Sequence, residues 1–141
     1  MPTEKIDLSL RLRHDAADML TVIEQMGIKP KIYWNKGDPR QTPTGEVLEG
    51  QRDFSYCSFP LIKRTTEDLD ETIMESLKSI VPVEHVIHSF VRSGGTATLA
   101  IGWFCNGDSG AEISETTIAA LARISLKADF YLYFSPTDAP T

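Results

Sequence analysis

The chain has 141 residues, with 14 Lys and Arg against 20 Asp and Glu, and a formal net charge of −6. This length is typical of one domain and suffices to bury a core without disulfides or a metal. The acidic balance disfavours nucleic acid as a partner, because phosphate contacts dominate that affinity. We find no apolar leader and no run near the ~20 apolar residues of a membrane span, so we expect a cytoplasmic protein without a membrane partner.

Residues 6–34 predict a strand, a helix and a second strand. Apolar residues occupy every second position at the start, which is typical of a half-buried strand: Ile6, Leu8, Leu10 and Leu12. Asp15 can cap a helix that Gly27 ends in a left-handed conformation. Ile32, Tyr33 and Trp34 then form a short strand.

The middle of the chain predicts a long connection followed by a strand and an acidic helix. Residues 35–53 are punctuated by Gly and Pro and indicate a loop that either binds something or contains a short element. A strand over residues 54–59 ends at Pro60. A helix over residues 67–80, capped by Thr65 or Thr66, carries acidic residues in its first turn, where the helix dipole favours them.

The last part of the chain predicts three strands and one helix. Residues 85–91 and 96–104 are interpreted as strands of an antiparallel hairpin, joined through Gly94 and Gly95. The Gly-rich loop 106–110 precedes a helix with Ser114 as its N-cap. Residues 129–134 alternate aromatic and aliphatic side chains and predict a final strand.

These elements predict an α+β fold with a mostly antiparallel sheet and helices on one face. Its order is a ferredoxin-like βαββαβ arrangement preceded by an extra βαβ unit. We expect one domain over residues 1–135 and a disordered tail over residues 136–141. Periodicity leaves the strand order open.

Two stretches carry a family resemblance. The first is an aromatic residue followed by a Lys-Gly-Asp turn, from Trp34 to Arg40. The second is Gly102-Trp103-Phe104, leading through a Gly-rich loop to residues 113–118. Together they resemble the bacterial domain-of-unknown-function family numbered 4279, over nearly the whole chain. The resemblance implies a small single-domain bacterial protein and brings no catalytic residues.

One locally basic segment is a candidate ligand site. Lys29, Lys31, Lys36 and Arg40 surround Asp38 between residues 29 and 40. With an aromatic stacking face and backbone N–H groups near Gly37, the segment can contact an anion or a nucleotide; the alternative is an ordinary turn with Trp34 in the core. The candidate ligand- or partner-binding residues are Trp34, Lys36, Asp38, Arg40, Trp103 and Asp108.

No motif indicates a metal, a cofactor or catalysis. Asn106, Asp108 and Glu112 lack EF-hand spacing. We therefore favour an ordinary loop, in which such residues are common for conformational reasons, over a cation site. His85 and His88 would point to opposite faces of a strand, which disfavours zinc. Cys57 and Cys105 are expected to be structural thiols. An enzyme using Asp38, Arg40, His88 or Asp108 requires these residues to converge in one pocket.

The sequence therefore favours a non-catalytic protein-binding module. A small acidic domain suits a toxin-neutralising immunity protein, because charge complementarity accelerates association with a basic toxin. The alternative is a small-molecule-binding sensor or regulatory domain, by analogy with other ferredoxin-like sheets. No cofactor is expected, and the oligomeric state is left open.

Overall fold

The computed structural model describes residues 5–66, 68–105 and 110–134. The strands are β1 (Lys5–His14), β2 (Ile32–Trp34), β3 (Pro39–Gln41), β4 (Val47–Gln51), β5 (Ser55–Thr65), β6 (Thr96–Cys105) and β7 (Leu126–Phe134). The helices are α1 (Met19–Met26), α2 (Leu69–Leu77), α3 (Glu84–Arg92) and α4 (Glu115–Arg123), and a short 3₁₀ turn (Val81–Val83) precedes α3. In the described ranges, no helix has the length and apolar character needed to span a bilayer.

Five strands form the main sheet in the order β2-β5-β1-β6-β7. β1 lies at the centre and runs antiparallel to β5 and β6, whereas β7 runs parallel to β6. A parallel neighbour requires a crossover, and α4 provides it between β6 and β7. β3 and β4 form a separate antiparallel pair.

The core lies between one face of this sheet and the helices. The apolar row of β1 is buried there at 4% exposure or less, and it is paired with buried residues along β6 and with buried Phe59 and Cys57 of β5. The helices contribute buried residues to the same cluster, including Met19, Ile73, Ile87 and Leu121. The expected α+β fold, with a mostly antiparallel sheet and helices on one face, is confirmed.

Helix ends follow the expected capping chemistry, with shifted positions for two helices. Asp18, not Asp15, caps α1 by accepting the Leu20 N–H at 3.2 Å, and Gly27 ends this helix at φ 68°. Asp68, rather than Thr65 or Thr66, caps α2 by accepting the Glu71 N–H at 3.2 Å. Ser114 caps α4 as predicted, through the Thr117 N–H at 3.2 Å.

The segment predicted as a strand over residues 85–91 is helix α3, so that prediction is wrong. Val86, Ile87 and Phe90 are buried on one helical stripe, a spacing that a strand would divide between two faces. Gly94 and Gly95 consequently join a helix to β6 and do not form a hairpin turn. The ferredoxin-like βαββαβ order is not confirmed.

Two further boundaries differ from the prediction. The expected loop 35–53 contains the β3–β4 hairpin, and Pro60 lies inside β5 instead of ending it. The pairing of β5 with β1 shifts register near Pro60, and β2 covers β5 only as far as Ser58. Proline is tolerated there because it removes an N–H only from an uncovered, irregular stretch of strand.

Candidate functional site

The side of the main sheet that faces away from the helices is called the open face here. The polar row of β1 lies on it, since the apolar row occupies the core side. Neighbouring residues at the same register share a face. The open face therefore also carries Tyr56 and Ser58 of β5, Ala100, Gly102 and Phe104 of β6, and Tyr131 and Tyr133 of β7.

Small side chains at the centre of the open face create a depression of about 490 Å³. Ser9 is paired with Ala100, and Gly102 is paired with Asp7. These residues, with Ser58, line the depression, and longer side chains rise around them. The volume lies within the roughly 300–1,000 Å³ of small-molecule sites.

Cations predominate in the lining of this depression. Among the described residues, Arg11, Lys31 and Lys63 line it together with a single carboxylate, that of Asp7. Asp7 is itself engaged, because its carboxylate accepts the Arg64 N–H and lies 3.8 Å from the Arg64 Nε. The depression is therefore locally positive on a chain whose formal net charge is −6.

Arginine side chains cover aromatic rings along the open face. The guanidinium carbons lie 3.8–4.9 Å from the ring centroids in four pairs, all within cation–π range: Arg11 with Tyr131, Arg13 with Phe54, Arg52 with Trp34, and Arg64 with Phe104. Phe104 also stacks on Tyr133, with centroids 4.9 Å apart. Aromatic surface and positive charge are thus held side by side.

Three buried donors on or beside the open face have no hydrogen-bond partner among the described residues. They are the Arg11 Nε, the Trp34 Nε1 and the Arg52 Nε. Arg11 uses a different nitrogen, Nη1, to donate to the Tyr131 hydroxyl at 3.0 Å. A buried donor without an acceptor is costly, so each of the three would gain from an acceptor oxygen, which reaches it only where the covering side chains move.

The residues proposed from the Lys-Gly-Asp segment lie at one end of the open face. Trp34 stacks on Tyr56 at 4.8 Å and, with Asp38 and Arg52, lines a second depression of about 330 Å³. Asp38 accepts the Asn35 N–H at 2.8 Å, which is turn chemistry. Lys36 and Arg40 are exposed and line neither of these depressions.

The other two proposed site residues do not join this group. Trp103 is 9% exposed and lies on the core side of β6, paired with Ile6. Asp108 lies outside the described residues, as does Asn106. The structure thus places Trp34 and Asp38 together and separates both from Trp103.

Sequence reasoning placed Lys31 in a candidate anion site and Arg11 near it, and it missed Lys63 and the small residues at the base of the larger depression. The available signal was the polar row of β1, whose alternation with the apolar row indicates only that it faces away from the core. Its meaning depends on Ser58, Ala100 and Tyr131, which come from three different strands. Chain order alone does not bring these residues together.

The side chains of Cys57 and His88, which could act as a nucleophile or a metal ligand, are buried or bonded to other groups. Burial raises the pKa of the Cys57 thiol to about 12, so this group stays protonated and weakly nucleophilic at neutral pH. The His88 Nε2 contacts the Arg123 carbonyl at 2.7 Å. Among the described residues, no three His, Cys, Asp or Glu side chains are placed to hold a metal ion together.

Comparison with known proteins identifies a family and no activity. The family described as "Domain of unknown function (DUF4279)" matches residues 4–135, nearly the whole chain. No curated protein and no solved structure matches the chain. The chemistry of the open face therefore has to be interpreted from its own residues.

Proposed function

The chain belongs to the DUF4279 family, and we propose that it is a non-catalytic binding domain whose open face holds a small organic anion. The supporting observation is Arg11. It lines the larger depression, and its buried Nε has no acceptor among the described residues. A phosphate or carboxylate oxygen in the depression would accept from this guanidinium in a charge-assisted hydrogen bond, the stronger kind.

The lining also indicates the charge and shape of the ligand. Three cations against one carboxylate favour a ligand with about two negative charges, which a phosphate monoester carries at neutral pH. The aromatic wall, formed by Phe104, Tyr131 and Tyr133, adjoins Arg11, which contacts Tyr131. This arrangement favours a planar ring packed on the aromatic surface beside the cation. We therefore propose an aromatic phosphate ester of the nucleoside monophosphate class.

A small ligand is favoured over a nucleic-acid strand by the distribution of charge. The chain as a whole carries −6, so a long polyanion would meet repulsion beyond the edges of the open face. A mononucleotide places its charge only inside the cationic depression. Its size also matches a cavity of about 490 Å³.

Calorimetric titration with AMP, adenosine and inorganic phosphate tests the proposal. We expect AMP to bind at least about tenfold more tightly than either fragment, because each fragment uses only one wall. Arg11→Gln should weaken AMP binding about 10–100-fold, the equivalent of the ~1.5–3 kcal/mol of a hydrogen bond to a charged group. Arg123→Gln, which removes the same charge from exposed α4 on the helix side, should change affinity less than about twofold.

Changes in the NMR chemical shifts of backbone amides on titration show where the ligand binds. Saturating AMP should move the amide signals of Ser9, Ala100 and Gly102 at the base of the depression. Absence of AMP binding at millimolar concentration, or equal binding by wild type and Arg11→Gln, contradicts the proposal. Tighter binding of a single-stranded oligonucleotide than of AMP would replace the small ligand with nucleic acid.

A basic protein partner is a second candidate, and an apolar groove on the helix side favours it. The groove measures about 520 Å³ and lies between α2, α4 and the 3₁₀ turn. Met74 and Val81 are 37% and 41% exposed in it, and charges of both signs flank them: Glu71 and Glu75, with Lys78 and Arg123. Apolar anchors beside charges of both signs suit an amphipathic protein surface, on which basic side chains would meet Glu71 and Glu75.

Co-expression with the product of a neighbouring gene tests this second candidate. If that product is toxic, the chain should restore growth, and Glu71→Lys with Glu75→Lys should abolish the rescue by reversing the charge beside the groove. Arg11→Gln is the control, because it leaves the helix side intact. Rescue that persists in the double variant would exclude the groove as the docking surface.

A further inference from the structure

β7 is an edge strand with apolar side chains on both of its faces. Its last five residues are 37–62% exposed: Phe130, Tyr131, Leu132, Tyr133 and Phe134. The strand is nine residues long, and in the part of the chain that the structure describes no strand lies beyond it. Long apolar edges of this kind pair readily with another strand, since their backbone N–H and C=O groups face outward.

Features that usually block an edge are concentrated at the other end of β7. Lys127 and Asp129 are its charged residues, and residues 130–134 contain neither a charge nor a proline. Charges and prolines are the common protections of an exposed edge. The second half of the strand is therefore suited to being covered by a partner strand.

We infer that the partner is the β7 strand of a second copy of this chain. Antiparallel self-pairing over the whole strand places a twofold axis at Phe130, perpendicular to the sheet. The two five-stranded sheets then join into one of ten strands. Both open faces lie on the same side, because such an axis keeps each face of the sheet on its own side.

The side chains of β7 are complementary to themselves in this register. On the helix side, Ala128 lies opposite Leu132 of the second copy, so that a small residue meets a larger one. On the open side, Lys127 lies opposite Tyr133 of the second copy, a pairing that suits a cation beside a ring. Cross-strand pairs of these kinds are a main source of sheet stability.

The area that pairing covers reaches the size of a specific interface. Five side chains are each about half exposed, and an aromatic side chain presents about 150–250 Å² in total. These side chains therefore expose roughly 500 Å² per copy, about 1,000 Å² for the pair, and pairing reaches the lower bound for a biological interface where it covers most of that surface. Nine paired residues of backbone add to it.

Sedimentation of the full chain at micromolar concentrations tests the inference. We expect a dimer for the wild type. Phe130→Glu should shift it to a monomer, because two carboxylates then lie opposite each other at the twofold axis. Val47→Glu is the matched control: it replaces a strand residue that is 68% exposed in the separate β3–β4 sheet and should leave the dimer intact.

A pair of complementary variants tests the register. Ala128→Glu and Leu132→Lys, each placed on a separate copy, face each other only when β7 is paired antiparallel about Phe130. Their mixture should form a heterodimer in preference to either homodimer, as native mass spectrometry can show. Circular dichroism and thermal melting confirm that each variant is folded.

Each unfavourable outcome is decisive for this inference. A monomeric wild type at high micromolar concentration overturns it, as does a dimer that folded Phe130→Glu leaves unchanged. A dimer whose Ala128→Glu and Leu132→Lys forms show no preference for each other overturns the register. None of these results bears on the anion site, which is tested by AMP titration.

Discussion

At the scale of single residues, the contact between Gly95 and Phe90 sets a steric limit on the core. A methyl group at position 95 would lie 2.3 Å from the Phe90 Cε2. The Phe90 ring is 5% exposed and packs edge-on against His14, at 5.3 Å between centroids. Gly95→Ala should therefore lower the free energy of unfolding by about 1–3 kcal/mol, the usual cost of overpacking, as measured by urea denaturation.

Gly110→Ala is the control for this prediction. A methyl group there meets no atom of the described residues within 4 Å, and we expect a change below about 0.5 kcal/mol. Gly→Ala lowers the entropy of the unfolded chain, which by itself favours folding, so equal destabilisation by both variants would show that the loss does not come from the contact with Phe90. The steric explanation at Gly95 would then be wrong.

At the scale of elements, one carboxylate on α2 fixes the start of α4. The Asp70 Oδ1 accepts the Ser114 N–H at 2.9 Å, and Ser114 in turn caps α4. The Ser114 N–H lowers the pKa of Asp70 from its ordinary 3.8, and the Thr117 side chain contributes. The charged form is thus favoured in the folded state, and its stabilisation is present above about pH 4 and lost as the pH falls through the lowered pKa.

Replacing Asp70 by Asn tests this connection. The variant should have a lower urea midpoint at pH 7 and a smaller further loss between about pH 5 and about pH 3 than the wild type. Asp53→Asn, at an exposed position between β4 and β5, should keep the wild-type pH dependence. An unchanged acid sensitivity in Asp70→Asn would assign that sensitivity to other carboxylates.

The helix that sequence reasoning missed lacks the local signals of a helix start. α3 follows the 3₁₀ turn directly, and its N-cap residue, Val83, makes no side-chain capping bond. Its residues are rich in Val, Ile, Phe and His, which favour strands as much as helices. The helices that were predicted begin at side-chain caps, such as Ser114. Tertiary burial of Val86, Ile87 and Phe90 decided the outcome at α3.

The β3–β4 hairpin was missed for a different physical reason. Every residue of β3 and β4 is exposed, so no apolar alternation marks these strands. The pairing depends on backbone hydrogen bonds, such as the one from the Thr42 N–H to the Glu46 carbonyl at 2.8 Å. Periodicity detects burial and is insensitive to strands that bury no side chain.

At the scale of the whole molecule, composition could not predict that positive charge is concentrated on one face of an acidic chain. The chain carries −6, and yet its open face brings together Arg11, Lys31 and Lys63 from different segments. The alternation in β1 predicted correctly that one row of this strand faces away from the core. Which strands would complete that surface depended on the order β2-β5-β1-β6-β7, which local pattern does not specify.

Salt should affect AMP binding and β7 pairing in different ways, because the first depends on charge and the second on apolar contact. Raising NaCl from about 0.1 M to about 1 M shortens the Debye length from ~10 Å to ~3 Å. AMP binding at the cationic depression should weaken several-fold, whereas pairing through the uncharged residues 130–134 should persist or strengthen. Titration calorimetry and sedimentation on the same sample measure both effects. A dimer that dissociates in salt while AMP binding is unaffected would reverse the assignment of charge and apolar contact to these two surfaces.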